Sequence, residues 1–236
     1  MTKIIISILS VMICLLTSQT ASAALIDFRL NNPWEAGDSL AQYSYTYSSG
    51  ALSGLTVTLE ARYGSNNDDA YIWHNGLDGL GIIYHYEDDE IEMNEKLIIK
   101  FSESIFLNTV YIANLFENEY QKQGQNKGTS INESGRYRLH GETGWSSWYN
   151  FGADSDTGPN GELAIDIAGE LIDAIKFKGI EYANTGEEFA VQGLYVTPVP
   201  APAASLLLGS GLIGLAGINF RRIKFKLHRT LGLTQT

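Results

Sequence analysis

The sequence has almost no cysteine, since Cys14 is the single cysteine among 236 residues. Cys14 lies in an apolar N-terminal run, and the chain that follows this run has none. Disulfide bonds, a zinc-thiolate site and a cysteine nucleophile are therefore excluded from that part of the chain. Any domain there depends on its hydrophobic core for stability.

The N-terminal apolar run is too short to cross a bilayer. It extends over thirteen residues, Ile4 to Leu16, after Lys3 and before the small residues Ala21 and Ala23. A membrane-spanning helix needs about 20 residues, whereas a charged start, a short apolar run and a small-x-small pair are typical of a secretory signal. Residues 1–23 are therefore predicted to be a signal peptide that signal peptidase removes after Ala23.

Basic side chains are scarce between residues 24 and 197. This segment holds ten Lys and Arg but all 27 Asp and Glu of the chain, which gives it a net charge of −17. Such a surface repels nucleic acid and anionic lipid, and it favours solubility and cations. The sequence predicts no nucleic-acid partner.

The same segment lacks the 3.6-residue period of amphipathic helices. Its apolar residues alternate in short runs such as YSYTY, GLTVTLEARY, KLIIKF and FAVQGLYVT, separated by stretches rich in Gly, Asn, Asp and Ser. Period two with β-branched and aromatic residues indicates strands, and the intervening composition indicates turns. About ten strands at this spacing predict an all-β domain over residues 24–197, an antiparallel, jelly-roll-like β-sandwich of two packed sheets.

Motifs for catalysis are also missing. His74, His85 and His140 form no His-Glu-x-x-His pair, and neither a Gly-x-Ser-x-Gly elbow nor a phosphate-binding glycine loop occurs. Acidic residues are abundant, but no spacing marks a glycosidase pair. The domain is predicted not to be an enzyme.

An acidic loop, DSDTGPNGE, could hold calcium. Asp154, Asp156, Asn160 and Glu162 alternate there with turn residues, and Ca²⁺ takes six to eight oxygen ligands from loops of this kind. The spacing differs from that of an EF-hand, so a solvated hairpin loop is the alternative.

Aromatic residues cluster in GWSSWYNF. Trp145, Trp148 and Tyr149 could form a platform for sugar rings, because flat aromatic faces offer apolar contact. In an unbroken strand, Trp145 and Tyr149 would share one face and Trp148 would take the other. At least part of this cluster is therefore also a candidate for the core.

A second uncharged stretch, residues 203–220, lies near the C-terminus and precedes a basic end at 221–229. Its eighteen residues are at the lower edge of bilayer-spanning length, and the positive-inside rule places the basic end in the cytoplasm. The sequence therefore predicts a single transmembrane helix with the acidic domain outside the inner membrane.

The layout of residues 198–236 resembles the PEP-CTERM sorting tail of Gram-negative bacteria. The resemblance rests on a short proline motif, VPAPAA, then LLLGSGLIGLAG, then RR. Ala201 stands where the family has glutamate. The resemblance implies that an exosortase cleaves the tail and that the host makes exopolysaccharide. The residues that carry the motif are Val199, Pro200, Pro202, Gly211, Gly214, Arg221 and Arg222.

Three functions remain open from the sequence. The leading hypothesis is a non-catalytic, exported protein that is held briefly in the inner membrane and then sorted to the cell surface or the exopolysaccharide matrix of a biofilm. The alternative is a calcium-assisted carbohydrate-binding module, and the third is a matrix glycoside hydrolase. A carbohydrate array with and without chelator would separate the first two hypotheses.

Overall fold

The structure is a computed structural model that describes residues 22–84, 90–92, 94–117, 119–120, 130–154, 157–158, 161–180 and 188–199. The predicted signal peptide up to Ala21 and the predicted tail from Pro200 onward lie outside the described residues. Residues 21–199 form one compact unit. Among the described residues, no helix is long and apolar enough to cross a membrane.

The prediction of an antiparallel β fold is confirmed. Helical structure in the described residues is limited to a turn of α-helix at Asn31–Trp34 and 3₁₀ turns at Glu35–Gly37 and Gly50–Leu52. The strands are β1 (Ala24–Asp27), β2 (Gln42–Thr46), β3 (Thr56–Tyr63), β4 (Asp68–Asp69), β5 (Tyr71–Asn75), β6 (Gly79–Ile83), β7 (Glu95–Ala113), β8 (Glu119–Tyr120), β9 (Ser130–Ile131), β10 (Ser134–Gly141), β11 (Gly144–Trp145), β12 (Tyr149–Gly152), β13 (Leu163–Gly179) and β14 (Ala190–Pro198).

Two long strands connect the two halves of the fold. β7 has 19 residues and β13 has 17, and they pair with each other along most of their lengths. Near residues 95–101, β7 also pairs with β3, and the facing part of β13 pairs with β10. From residue 105 onward, the edge of β7 that pairs with β3 at residues 95–101 pairs instead with β14. A register shift in the β7–β13 pairing, between Ile172 and Ala174 of β13, separates these regions, which we call the first half and the second half.

The prediction of two separate packed sheets is therefore not met, because hydrogen bonding between strands continues from one half to the other. Twelve of the described strands form a single sheet, and β8 and β9 form a small second one. Inward-facing residues from both halves nevertheless belong to one core cluster, for example Leu59 and Phe177 from the first half and Val110 and Leu194 from the second. The single sheet must fold back on itself to bury both sets together, as a sandwich does.

Alternation along the strands of the first half gives each strand a core-facing side and an outer side. In β3 and β10, each buried residue is followed by a partly exposed one. Leu97 and Ile99 of β7 point to the core, whereas Lys96 and Lys100 lie on the other face. The first half therefore presents one complete outer face that the core does not use.

Candidate functional site

This outer face collects the positive charge of the domain. Eight of the ten Lys and Arg between residues 24 and 197 are described, and seven of these eight lie on the outer face of the first half. Arg29 is the exception, and it pairs with Asp27 at 2.9 Å. We call these seven residues the basic face: Arg62, Lys96, Lys100, Arg136, Arg138, Lys176 and Lys178.

Strand register brings four of these cations into one row. Arg136 of β10 lies opposite Lys178 of β13, Lys178 lies opposite Lys96 of β7, and Lys96 lies opposite Arg62 of β3. Side chains directly opposite each other have Cβ atoms about 4.5–5.5 Å apart, and like charges there are destabilising. Arg138 and Lys176 form a second such pair next to this row.

Counter-charges lie at the β3 end of the row. Arg62 forms an ion pair with Asp69, and the Nζ of Lys100 is 2.6 Å from Glu60 Oε1. The Nζ of Lys96 donates to the Gly64 carbonyl and to Asn67 Oδ1.

The β10 end of the basic face differs in this respect. Within the described residues, Arg136, Arg138 and Lys176 form no ion pair with a carboxylate. The Nε atoms of Arg136 and Arg138 are buried and have no hydrogen-bond partner in that part of the chain. Among the residues that the structure describes, these three neighbouring cations therefore have no carboxylate as an ion-pair partner.

Two indole rings cover these three cations. The Arg138 guanidinium lies 4.7 Å from the ring centre of Trp145 and 4.8 Å from that of Trp148. Arg136 lies 4.8 Å from Trp148, and the Lys176 ammonium lies 4.7 Å from Trp145. Trp145 starts from the edge strand β11 and reaches Lys176 on β13, so its ring crosses over β10. Contacts of this type contribute about 0.5–1 kcal/mol at exposed sites and about 2 when desolvated.

A one-residue bulge explains why both tryptophans are on this face. Trp145 pairs with His140, but Tyr149 pairs with Tyr137, so one extra residue lies on the β11–β12 side. Ser146 holds the connection in place, because its N–H donates to the Leu139 carbonyl at 2.8 Å and its hydroxyl accepts from the Leu139 N–H at 3.0 Å.

The bulge corrects the predicted distribution of aromatic residues. Trp145 and Trp148 share the outer face, where an unbroken strand would have separated them. Tyr149 lies on the core side, opposite the buried Tyr137, with the two ring centres 5.2 Å apart. Its edge position leaves it 48% exposed. Tyr149 is therefore not part of the surface that the two tryptophans form.

Burial of these cations affects their protonation. Desolvation lowers the pKa of Lys176 to about 8, and the neighbouring charges of Arg138, Lys96 and Lys100 act in the same direction. Desolvation, then repulsion by Arg136, lowers the pKa of Arg138. The pKa of Lys96 is lowered by desolvation and then by Lys178 and Arg138.

A shallow cavity of about 440 Å³ opens beside Trp145. His140 and Asp173 line it, and the Nδ1 of His140 is 2.5 Å from an Asp173 carboxylate oxygen. Lys100 and Lys176 line the other side. A ligand group that enters this cavity would therefore meet Lys100 and Lys176, the His140–Asp173 pair and the indole ring of Trp145.

The predicted calcium loop is described in part. Asp154 and Glu162 are described, whereas Asp156 and Asn160 lie outside the described residues. The Glu162 carboxylate accepts from Gln192 Nε2 at 3.3 Å, and the Asp154 N–H donates to the Thr157 hydroxyl at 2.9 Å. No group of three or more possible metal ligands occurs among the residues that the structure describes. The calcium site stays a prediction.

Of the predicted sorting residues, Val199 is described and is exposed after the end of β14. Pro200, Pro202, Gly211, Gly214, Arg221 and Arg222 lie outside the described residues.

The basic face was missed because charge was counted over the whole domain. The signal is present in RYRLH and IKFK, where cations alternate with core residues. Alternation indicates that the cations of one strand share a face. It does not indicate that β10 and β13 are neighbours.

The sequence matches no protein-family model and no curated protein. Solved structures show a weak likeness. One is the C-terminal domain of a chitobiase from Bacteroides fragilis, with 16% identity and a TM-score of 0.30 over 45% of this chain and 64% of that one. Another is the module CBM32-3 of a family 31 glycoside hydrolase from Clostridium perfringens, with 12% identity and a TM-score of 0.30 over 70% of this chain and 98% of that one. At these TM-scores and identities, the likeness supports no conclusion about the function of this chain.

Proposed function

We propose that the domain is a non-catalytic carbohydrate-binding domain whose site is the tryptophan pair on the basic face. The observation that carries the proposal is the position of Trp145 and Trp148 together on one outer face, with Arg138 in contact with both rings. Rigid aromatic surfaces offer apolar contact to sugar rings. Trp145 lies on β11, and the hydrogen bonds between Ser146 and Leu139 fix the connection that carries Trp148.

This site uses rings and cations, so calcium is not needed for it to bind. The alternative drawn from the sequence, in which calcium assists binding, relied on the loop at Asp154 to Glu162. We therefore expect chelation with EDTA to leave carbohydrate binding unchanged. Loss of binding in EDTA, restored by calcium, would show that the metal-assisted version is correct.

The test is binding of the purified protein to an array of neutral and acidic polysaccharides. Trp145→Ala and Trp148→Ala should each weaken retention about tenfold or more, which corresponds to about 1.4 kcal/mol. Tyr71→Ala is the matched control, because Tyr71 is a 49% exposed aromatic residue on β5, a strand that pairs with neither β10 nor β13. Unchanged retention in both tryptophan variants would contradict the proposal, and so would release of new reducing ends from a bound polysaccharide.

We propose further that the chain is exported and sorted to the cell surface by an exosortase, which would place this site in an exopolysaccharide matrix. The support is the sequence of the two ends: a signal-like N-terminus, then the proline motif, apolar stretch and arginines of the tail. Mass spectrometry of surface material from the native host should find no peptide beyond about residue 203. Recovery of intact protein that ends at Thr236 would contradict cleavage.

A further inference from the structure

We infer that the ligand of this site is an acidic polysaccharide whose anionic groups bind Arg136, Arg138 and Lys176. The inference deepens the proposed function and rests on it, since it names the chemical class of the carbohydrate. A neutral sugar would need the tryptophan rings alone. The three cations beside the rings favour a sugar that also carries negative charge.

The first argument is the missing counter-charge. The domain has 27 acidic side chains, yet none that the structure describes forms an ion pair with Arg136, Arg138 or Lys176. A buried or half-buried charge without a partner is destabilising. Of the described carboxylates nearby, Asp173, which lines the same cavity as Lys176, pairs with His140 instead, and Glu60 pairs with Lys100. An external anion would supply the missing charge.

The second argument is the position of the rings. Trp145 and Trp148 pack against the cations, and burial lowers the pKa of both Arg138 and Lys176. Electrostatic interactions are stronger where water is excluded. An anionic group bound beside the rings would therefore be held more strongly than one bound by lysines in open solvent.

The third argument is the extent of the basic face. The row from Arg136 through Lys178 and Lys96 to Arg62 crosses four strands, and strands lie about 4.8 Å apart, so the row is about 14 Å long. Asp69 and Glu60 neutralise the β3 end. A chain carrying repeated charges could thus lie across the strands, with its best-bound anionic group next to the tryptophans.

Single-stranded nucleic acid also combines anionic groups with rings that stack. The predicted signal peptide favours an extracellular polymer, so we argue for the polysaccharide. An oligonucleotide is included in the test as a competitor.

The experiment measures binding of the full-length protein to polygalacturonate and to the same polymer after its carboxyl groups have been reduced to alcohols. Dextran sulfate forms a second arm, which distinguishes sulfate from carboxylate as the anionic group. We expect polygalacturonate to bind at least about tenfold more tightly than its reduced form, because hydrogen bonds to charged groups are strong.

Variants locate the effect on the basic face. Arg138→Gln should remove most of the preference for the acidic polymer while Trp145 and Trp148 remain in place. Arg29→Gln is the matched control, since it removes the same charge from the one described cation outside the basic face. A thermal melt of each variant checks that the protein is folded.

Equal binding of polygalacturonate and its reduced form would overturn the inference and leave the proposed function intact. Failure of every polysaccharide to bind would overturn both. A preference that Arg29→Gln abolishes as strongly as Arg138→Gln would also overturn the inference, because it would show an effect of net charge alone. Displacement of the polysaccharide by a much tighter-binding oligonucleotide would assign the site to nucleic acid instead.

Discussion

Lys176 has a cost in stability that the proposed ligand would offset. Its ammonium group is partly buried beside Trp145, with Arg138, Lys96 and Lys100 as charged neighbours. Glu60 is a charged neighbour that acts in the opposite direction and favours the charged form of Lys176. A lysine placed among cations destabilises the folded state unless an anionic group, such as that of a ligand, pairs with its charge.

We expect Lys176→Met to raise the thermal midpoint at pH 7, since it removes a desolvated charge and keeps an apolar stem. The pKa of Lys176 falls from 10.5 to about 8 on folding, so between these values the unfolded chain holds more protons than the folded one. The contribution of Lys176 to the free energy of unfolding therefore rises with pH across this window. The advantage of the methionine variant should shrink from about pH 8 to about pH 10.5 in melts followed by circular dichroism. An advantage that grows with pH would contradict this account.

Among the elements, the β10 edge decides where the tryptophans lie. β10 pairs with β13 on one side and with β11 and β12 on the other. Gly135 of β10 lets β12 approach, because a Cβ at this position would lie 2.5 Å from Phe151 and 2.6 Å from Phe189. The two phenylalanines thus fill the space that a side chain would need.

Gly135→Ala should therefore destabilise the protein by about 1–3 kcal/mol, the usual cost of overpacking a core. Gly152→Ala on β12 is the control, since its new Cβ would meet other atoms no closer than 3.4 Å. Denaturant unfolding of both variants measures the difference. A larger loss for Gly152→Ala would show that the packing around Phe151 has been misjudged.

For the whole molecule, the distribution of charge over the surface affects the binding of a polyanion more than the net charge does. Most of the described cations lie on one face, although residues 24–197 have a net charge of −17. A polyanion must therefore approach this face past a generally negative surface. Repulsion by the negative surface and attraction by the basic face both reach less far as salt is raised, since the Debye length falls from about 30 Å at 0.01 M to about 8 Å at 0.15 M.

Binding of polygalacturonate should weaken as sodium chloride is raised, because salt screens the contacts with the basic face. Arg138→Gln should lower the slope of log affinity against log salt by about 1, as expected for the loss of one ionic contact. Arg29→Gln should leave the slope unchanged. Affinity that does not depend on salt would indicate that the rings alone hold the ligand.

Much of the β fold could be predicted from the sequence, whereas the site could be predicted only in part. Period two in runs such as KLIIKF correctly indicated strands, here part of β7. The row formed by Arg136, Lys178 and Lys96 depends on strand order and register, which alternation does not determine. The bulge at Ser146 depends on hydrogen bonds to one backbone position, so the face on which Trp148 lies could not be predicted from the residue spacing in the sequence.

The two strands that run through both halves also have a mechanical consequence. If the tail holds the chain at the membrane, tension enters through Val199 at the end of β14, and β14 is hydrogen-bonded to β7. The same β7 continues into the first half, where it pairs with β3 and carries Lys96. Force between a bound polymer and the anchor would therefore pass from β14 to β7 through hydrogen bonds and then along the continuous backbone of β7, and the halves could not be pulled apart without extracting β7 or β13 from the sheet.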